Sequence, residues 1–153
     1  MNIEDRQELQ DLKYRYFRHL DLKEFDALGA LLTEDCEAAY DDGKLSFSGR
    51  EAIVTFLKES LGSGAIISEH HGHHPELTLV AADEAEGVWY LEDRVLIPDA
   101  DLEICGTAFY TDRYAKVDGE WKIARTGYTR VFEEHRSFST RALMRFTNRF
   151  ADS

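Results

Sequence analysis

"LEICGTAFYTDRYAKV" (residues 102–117) and "EWKIARTGYTRVFEE" (residues 120–134) are separated only by Asp118-Gly119. Both runs are rich in β-branched and aromatic residues. Asp-Gly is a preferred pair for a two-residue hairpin, because both central residues need positive φ. The stretch therefore predicts two long antiparallel strands. Working back from it, "EAEGVWYLEDRVLI" (84–97) and "AIISEHHGHHPELTLV" (65–80) have the same character, and "PDAD" at Pro98 to Asp101 supplies another turn.

The first third of the chain reads as helical. Leu9, Leu12, Tyr16 and Leu20, preceded by Ile3, form a helical stripe. Asp21 with Glu24 three residues on has the form of a capping box, opening a short helix with Phe25, Leu28, Leu31 and Leu32 as its apolar residues. Ser48 with Glu51 repeats the signal. Ile53, Phe56, Leu57 and Leu61 then form one face, and Gly62 ends that helix. The residues from about Ser139 are expected to be helical, within a C-terminal tail that starts near residue 136. Helices first and a meander afterwards give an α+β fold, with helices packed on one face of a curved, mostly antiparallel sheet.

The 153 residues suit a single domain, 1–153, with one core. The net charge of −12 disfavours nucleic acid, whose phosphates it would repel. Arg136, Arg141, Arg145 and Arg149 are a local exception, and read as a solvated tail or as partners for an acidic neighbour. No apolar run is long enough for a membrane span, and the N-terminus lacks the features of a signal peptide. Cys36 and Cys105 form no paired motif. A cytoplasmic location is the expectation.

Strand alternation singles out polar groups on apolar faces. Trp89, Leu91, Asp93, Val95 and Ile97 share one face, and Asp93 is the odd member. A carboxylate there must be paired or hydrogen-bonded, either in a structural ion pair or as the orienter of a histidine. Four histidines lie close by, His70, His71, His73 and His74, with Gly72 among them as a candidate bulge. As a zinc site they lack a third ligand, so no metal is expected. One inward-facing histidine, paired with Asp93 as a general base, accounts for the carboxylate as well. Tyr16 lies on the apolar stripe, and Asp21 is already justified as a cap. Their spacing of five does not place them on one helical face. Arg130 shares a face with Tyr128 and Phe132, which suggests a partner such as Asp21 or Asp93, or a snorkelling side chain.

Five segments carry a resemblance: "YFRHLDLKEFD", "DGKLSF", "HHGHHPELTL", "GVWYLEDRVL" and "GTAFYTDRYAKVDGEWKIARTGYTRVFEEH". In this order they resemble the SnoaL-like branch of the nuclear-transport-factor-2-like superfamily over about residues 14 to 135. That branch includes scytalone dehydratase, ketosteroid isomerase and, nearest to these segments, the bile acid 7α-dehydratases. The resemblance implies a conical α+β barrel around an apolar pocket, with neither a metal nor an organic cofactor. It implies Tyr16, Asp21, His70, Asp93 and Arg130 as the catalytic set. His73 also matches a family position, with a more structural role, and is grouped with Trp89, Tyr110 and Tyr128 as substrate-binding. His71, His74 and Arg94 depart from the dehydratase pattern.

The implied activity is elimination of water from a cyclic hydroxy-ketone, steroid-like or polyketide-like, free or as a coenzyme A thioester. His70 is the base, Asp93 its orienter and Tyr16 the acid. A ketosteroid-type isomerase or a dehalogenating lyase would use the same base, and a non-catalytic binding domain would need no such pair. Apolar and aromatic residues on both faces of the late strands predict a homo-oligomer, a trimer, joined through the outer face of the sheet.

Overall fold

The computed structural model describes residues 1–143 and 145–151. Helix α1 spans Ile3–Asp21. The Asn2 side chain caps it by accepting the Asp5 amide at 2.7 Å, which satisfies one of the orphan donors of the first turn. Leu9, Leu12, Tyr16 and Leu20 are buried as the stripe predicts, together with Lys13 and Phe17. Ile3 is 88% exposed and lies outside the stripe.

The capping boxes fail. Helix α1 runs through Asp21, so Asp21 ends a helix rather than starting one. Helix α2, Phe25–Gly29, has Glu24 at its N-cap with no side-chain hydrogen bond, and it stops before Leu31 and Leu32. Helix α3, Arg50–Leu61, starts after Gly49, which has φ 90°, so Ser48 is not its cap. Gly62 closes α3 as predicted.

Two strands lie in the part read as helical, β1 (Leu32–Tyr40) and β2 (Leu45–Ser48). The predicted meander follows as β3 (Ile67–Ala81), β4 (Glu84–Ile97), β5 (Leu102–Val117) and β6 (Glu120–Ser137). Asp118 and Gly119 have φ of 52° and 85°, as a tight hairpin with both central residues at positive φ requires. The six strands form one curved sheet in the order β2-β1-β6-β5-β4-β3. Only β1 and β6 pair in parallel. β2 and β3 are the free edges, so the sheet stays open rather than closing into a barrel.

The buried core lies between the helices and the sheet and includes Leu9, Leu12, Leu28, Ile53, Trp89 and Ile123. Gly72 is not a bulge. A Cβ there would meet the Phe17 ring at 2.4 Å, so its absence lets α1 lie close against β3. The irregularity comes one residue later, between His73 and Glu76, with His74 at φ 48°.

The described residues beyond Ser137 form no helix, contrary to expectation. They are tied back instead. The Ser139 amide donates to Asp101, the Asn148 side-chain amide donates to the Gly64 carbonyl, and Arg141 pairs with the buried Glu103 at 3.2 Å. Among the described residues, no helix is long and apolar enough to cross a membrane.

Candidate active site

Strand β3 turns His70 inward, and α1 ends beside it. Asp21 there accepts from His70 Nδ1 at 2.6 Å, from the His70 amide at 2.9 Å and from Ser68 Oγ at 2.8 Å. An anion at a helix C-terminus is opposed by the helix dipole, and these three hydrogen bonds offset that. With Nδ1–H given to Asp21, Nε2 carries the lone pair. The ring stacks on Phe17 at 6.2 Å and lines a cavity of about 350 Å³. Asp21 is not among the lining residues; it acts on the cavity only through the imidazole.

Asp93 has another partner. It pairs with Arg130 through both carboxylate oxygens, at 2.5 and 2.8 Å. Asp93 and His70 are direct neighbours across β3 and β4, yet each is claimed from elsewhere. The assignment of Asp93 as the orienter of His70 is therefore corrected: Asp21 fills that place, because the end of α1 brings its carboxylate to Nδ1 first. Burial works against the Arg130 charge, but the Asp93 hydrogen bonds and charge outweigh it and hold the guanidinium above its ordinary value. Gly106 makes room for the pair, since a Cβ there would lie 3.3 Å from the Arg130 guanidinium and 2.4 Å from the Phe132 carbonyl.

Tyr16 reaches the same cavity from α1, and its hydroxyl lies 3.0 Å from that of Tyr40 on β1. Burial pushes the Tyr16 phenol well above its ordinary value, with Tyr110 adding to this and the Tyr40 hydrogen bond opposing it. The phenol thus stays a proton donor near neutrality. Tyr110, Tyr128 and Phe56 add aromatic walls, and Leu20, Leu57, Leu91, Val95, Ile97 and Ile104 add aliphatic ones. A small apolar volume with one imidazole, one ion pair and two linked phenols can bind a flat or cyclic compound and move protons on it.

The SnoaL-like domain family matches residues 1–127. This chain belongs to that family. A scytalone-dehydratase-like protein from Novosphingobium aromaticivorans is 23% identical, covers 93% of this chain and 97% of its own, and superposes with a TM-score of 0.80. Hexachlorocyclohexane dehydrochlorinase LinA type 3 from Novosphingobium barchaimii is 20% identical, covers 95% of both chains and reaches 0.79. An NTF2-like protein from Pseudomonas putida is 18% identical, covers 84% of this chain and 88% of its own, and reaches 0.69.

Within this SnoaL-like domain, two sequence-predicted binding residues lie away from the cavity. Trp89 is fully buried behind it and donates to the Tyr114 hydroxyl at 2.9 Å. His73 sits on the outer face of the sheet, 3.8 Å from Glu92. Alternation along β3 sends His71 and His73 outward because it sends His70 inward.

The sequence reading also missed two features. Tyr40 lies in "EDCEAAY" (34–40), whose small and acidic residues hide a strand. Lys13, on the buried face of α1, pairs with Asp112 at 2.7 Å with both side chains fully buried. Asp112 also accepts from Thr126 at 2.7 Å and from Tyr114 at 2.8 Å, and the Lys13 ammonium lies 3.6 Å from the Tyr110 ring centre. Burial pulls the Lys13 ammonium below its ordinary value while Asp112 opposes this. The network fixes Tyr110, a wall of the cavity, from behind. A charged Lys on an apolar stripe was the available signal, since it is out of place there without a partner.

Proposed function

We propose that this protein is a cofactor-independent carbon–oxygen lyase that eliminates water from a small cyclic hydroxy-ketone, steroid-like or polyketide-like, free or as a coenzyme A thioester. The observation that carries the reading is the Asp21–His70 pair at 2.6 Å, set in an apolar cavity beside the Tyr16 and Tyr40 hydroxyls. His70 Nε2 takes the proton from the carbon next to the carbonyl. The electrons form an enolate, which then expels the β-hydroxyl. Tyr16 gives its proton to that leaving group, so the products are an enone and water. Asp21 holds the tautomer and stabilises the imidazolium, as an aspartate does in hydrolase triads. The Asp93–Arg130 pair places a fixed cation beside the developing charge. Each acid–base partner contributes on the order of 10²–10⁴-fold in rate.

A dehydrohalogenation by the same base is the second reading, and the likeness to a dehydrochlorinase fold favours it over isomerisation. The two differ only in the leaving group, hydroxide needing the Tyr16 proton and chloride not. A panel of cyclic β-hydroxy-ketones, their coenzyme A thioesters and chlorinated cyclohexanes, assayed for enone and for chloride release, tests the choice. Turnover of none of them, together with tight binding of a cyclic ketone, would leave a binding domain.

Assembly as a homotrimer through the outer face belongs to the same proposal. Val88, Tyr90, Phe109 and Phe132 are between 37% and 49% exposed there, an apolar patch that a second copy would cover.

A further inference from the structure

The alternation that turns His70 into the cavity turns Glu69, His71 and His73 outward. Glu92 is the cross-strand partner of His71, so its carboxylate stands on the same face. His73 Nε2 lies 3.8 Å from Glu92, and ligand atoms of His71, His73 and Glu92 all lie within 4.8 Å of one another. The side chains of the two histidines and of Glu92 are 51%, 43% and 67% exposed, so all three can turn toward a common point. Register across β3 and β4 is regular from Ile67 to His73, which fixes the spacing of the three Cα positions.

We propose that His71, His73 and Glu92 bind one divalent transition-metal ion on the outer face of the sheet, apart from the cavity. The third ligand that the histidine run lacks as a sequence comes from the neighbouring strand. Two imidazoles and one carboxylate suit zinc, nickel, cobalt or copper, and suit magnesium and calcium poorly. Ligand atoms about 2.1 Å from one ion cannot stand more than about 4.2 Å apart, so the set must close by roughly half an ångström. Exposed side chains do this by small rotations. Glu69 lies 3.4 Å from His71, but it is also held by Arg94 at 3.1 Å. This leaves three protein ligands and a fourth position for water. The site shares no residue with the cavity, so it stands whether or not the cavity is a lyase site.

The test is calorimetric titration of zinc into untagged, chelator-treated protein, with cobalt absorption as a report on geometry. One saturable ion per chain is expected. His71→Ala and His73→Ala should each weaken binding at least about tenfold, a range known for lost metal-site partners, and Glu92→Gln should weaken it too. His135→Ala, at an exposed histidine outside the set, should leave it unchanged. Side-chain NMR of the wild type gives a reading free of folding effects: zinc should shift the imidazole signals of His71 and His73 and spare His70. Absence of saturable one-to-one binding, full affinity in the His71→Ala/His73→Ala double variant, or a shift confined to His70 would each overturn the proposal.

Discussion

Asp21 accepts the Nδ1 proton of His70 at 2.6 Å, from the last residue of a helix to the inner face of an edge strand. The same carboxylate takes the His70 backbone amide and the Ser68 hydroxyl, so ring and strand are held by one group. If His70 is the base, the pair should act as a unit. His70→Ala should remove most turnover, and Asp21→Asn should cost nearly as much, because an amide can hold the wrong tautomer. The double variant should be little worse than the worse single one. Single-turnover rates on the substrate found by the panel check this. Additive losses would refute the unit, and His71→Ala or His74→Ala should change the chemical step by less than about tenfold, roughly 1.4 kcal/mol.

Tyr16→Phe keeps the ring and removes the proton. A dehydratase variant of this kind should lose on the order of 10²-fold or more in the chemical step, while release of chloride from a halogenated substrate should change far less. Tyr40→Phe should have a smaller effect of the same sign, since Tyr40 only orients the Tyr16 hydroxyl at 3.0 Å. Equal losses on both substrate types would show that Tyr16 acts by packing.

Asp93 is 6% exposed and paired bidentately. Arg130→Met leaves that carboxylate buried without its cation and should destabilise the fold by about 3 kcal/mol. Asp93→Asn with Arg130→Met, which removes both charges, should recover part of the loss. Urea unfolding followed by circular dichroism measures both. A double variant weaker than Arg130→Met alone would contradict the account.

The phenols of Tyr16, Tyr40, Tyr110 and Tyr114 are all pushed well above their ordinary value, chiefly by burial. Below about pH 10 folded and unfolded chains both keep these protons, so the groups add no pH dependence. Above it the unfolded chain loses protons that the folded chain retains, and stability falls as pH rises. Unfolding free energies from urea titrations between about pH 8 and 11.5 should be level at first and then decline. A profile that stays level to the end would mean that these phenols ionise in the folded state.

The proposed trimer predicts a mass in solution three times that of the 17.6 kDa chain. Light scattering at micromolar concentration measures it, and Phe109→Glu on the exposed patch should dissociate the assembly. The mass of a single chain for the unaltered protein would end this proposal.

Much of the fold was legible because it rests on local signals. The Asp118-Gly119 turn needs only two residues with positive φ, and the rows Trp89–Leu91–Asp93 and Leu9–Leu12–Tyr16–Leu20 need only a period of two or of three to four. β1 was hidden because its residues are small and acidic, and its partner β6 is remote in sequence and parallel. The capping signals misled because Asp21 has stronger donors on β3 than the turn beneath it could offer.

By itself the sequence determined which residues turn inward. His70, Asp93, Tyr16, Tyr110 and Tyr128 lie on apolar faces, and alternation or helical period is a property of the chain alone. Only the tertiary structure decided who pairs with whom. His70 and Asp93 are neighbours across two strands, and sequence reasoning joins them. A carboxylate goes to the donor that packing presents to it, however, and α1 presents Asp21 to His70 while β6 presents Arg130 to Asp93. In the same way the four clustered histidines acquire a third ligand only when β4 lays Glu92 beside His71. Such pairings depend on distances of a few ångströms between segments far apart in sequence, and only the packed helices and sheet set those distances.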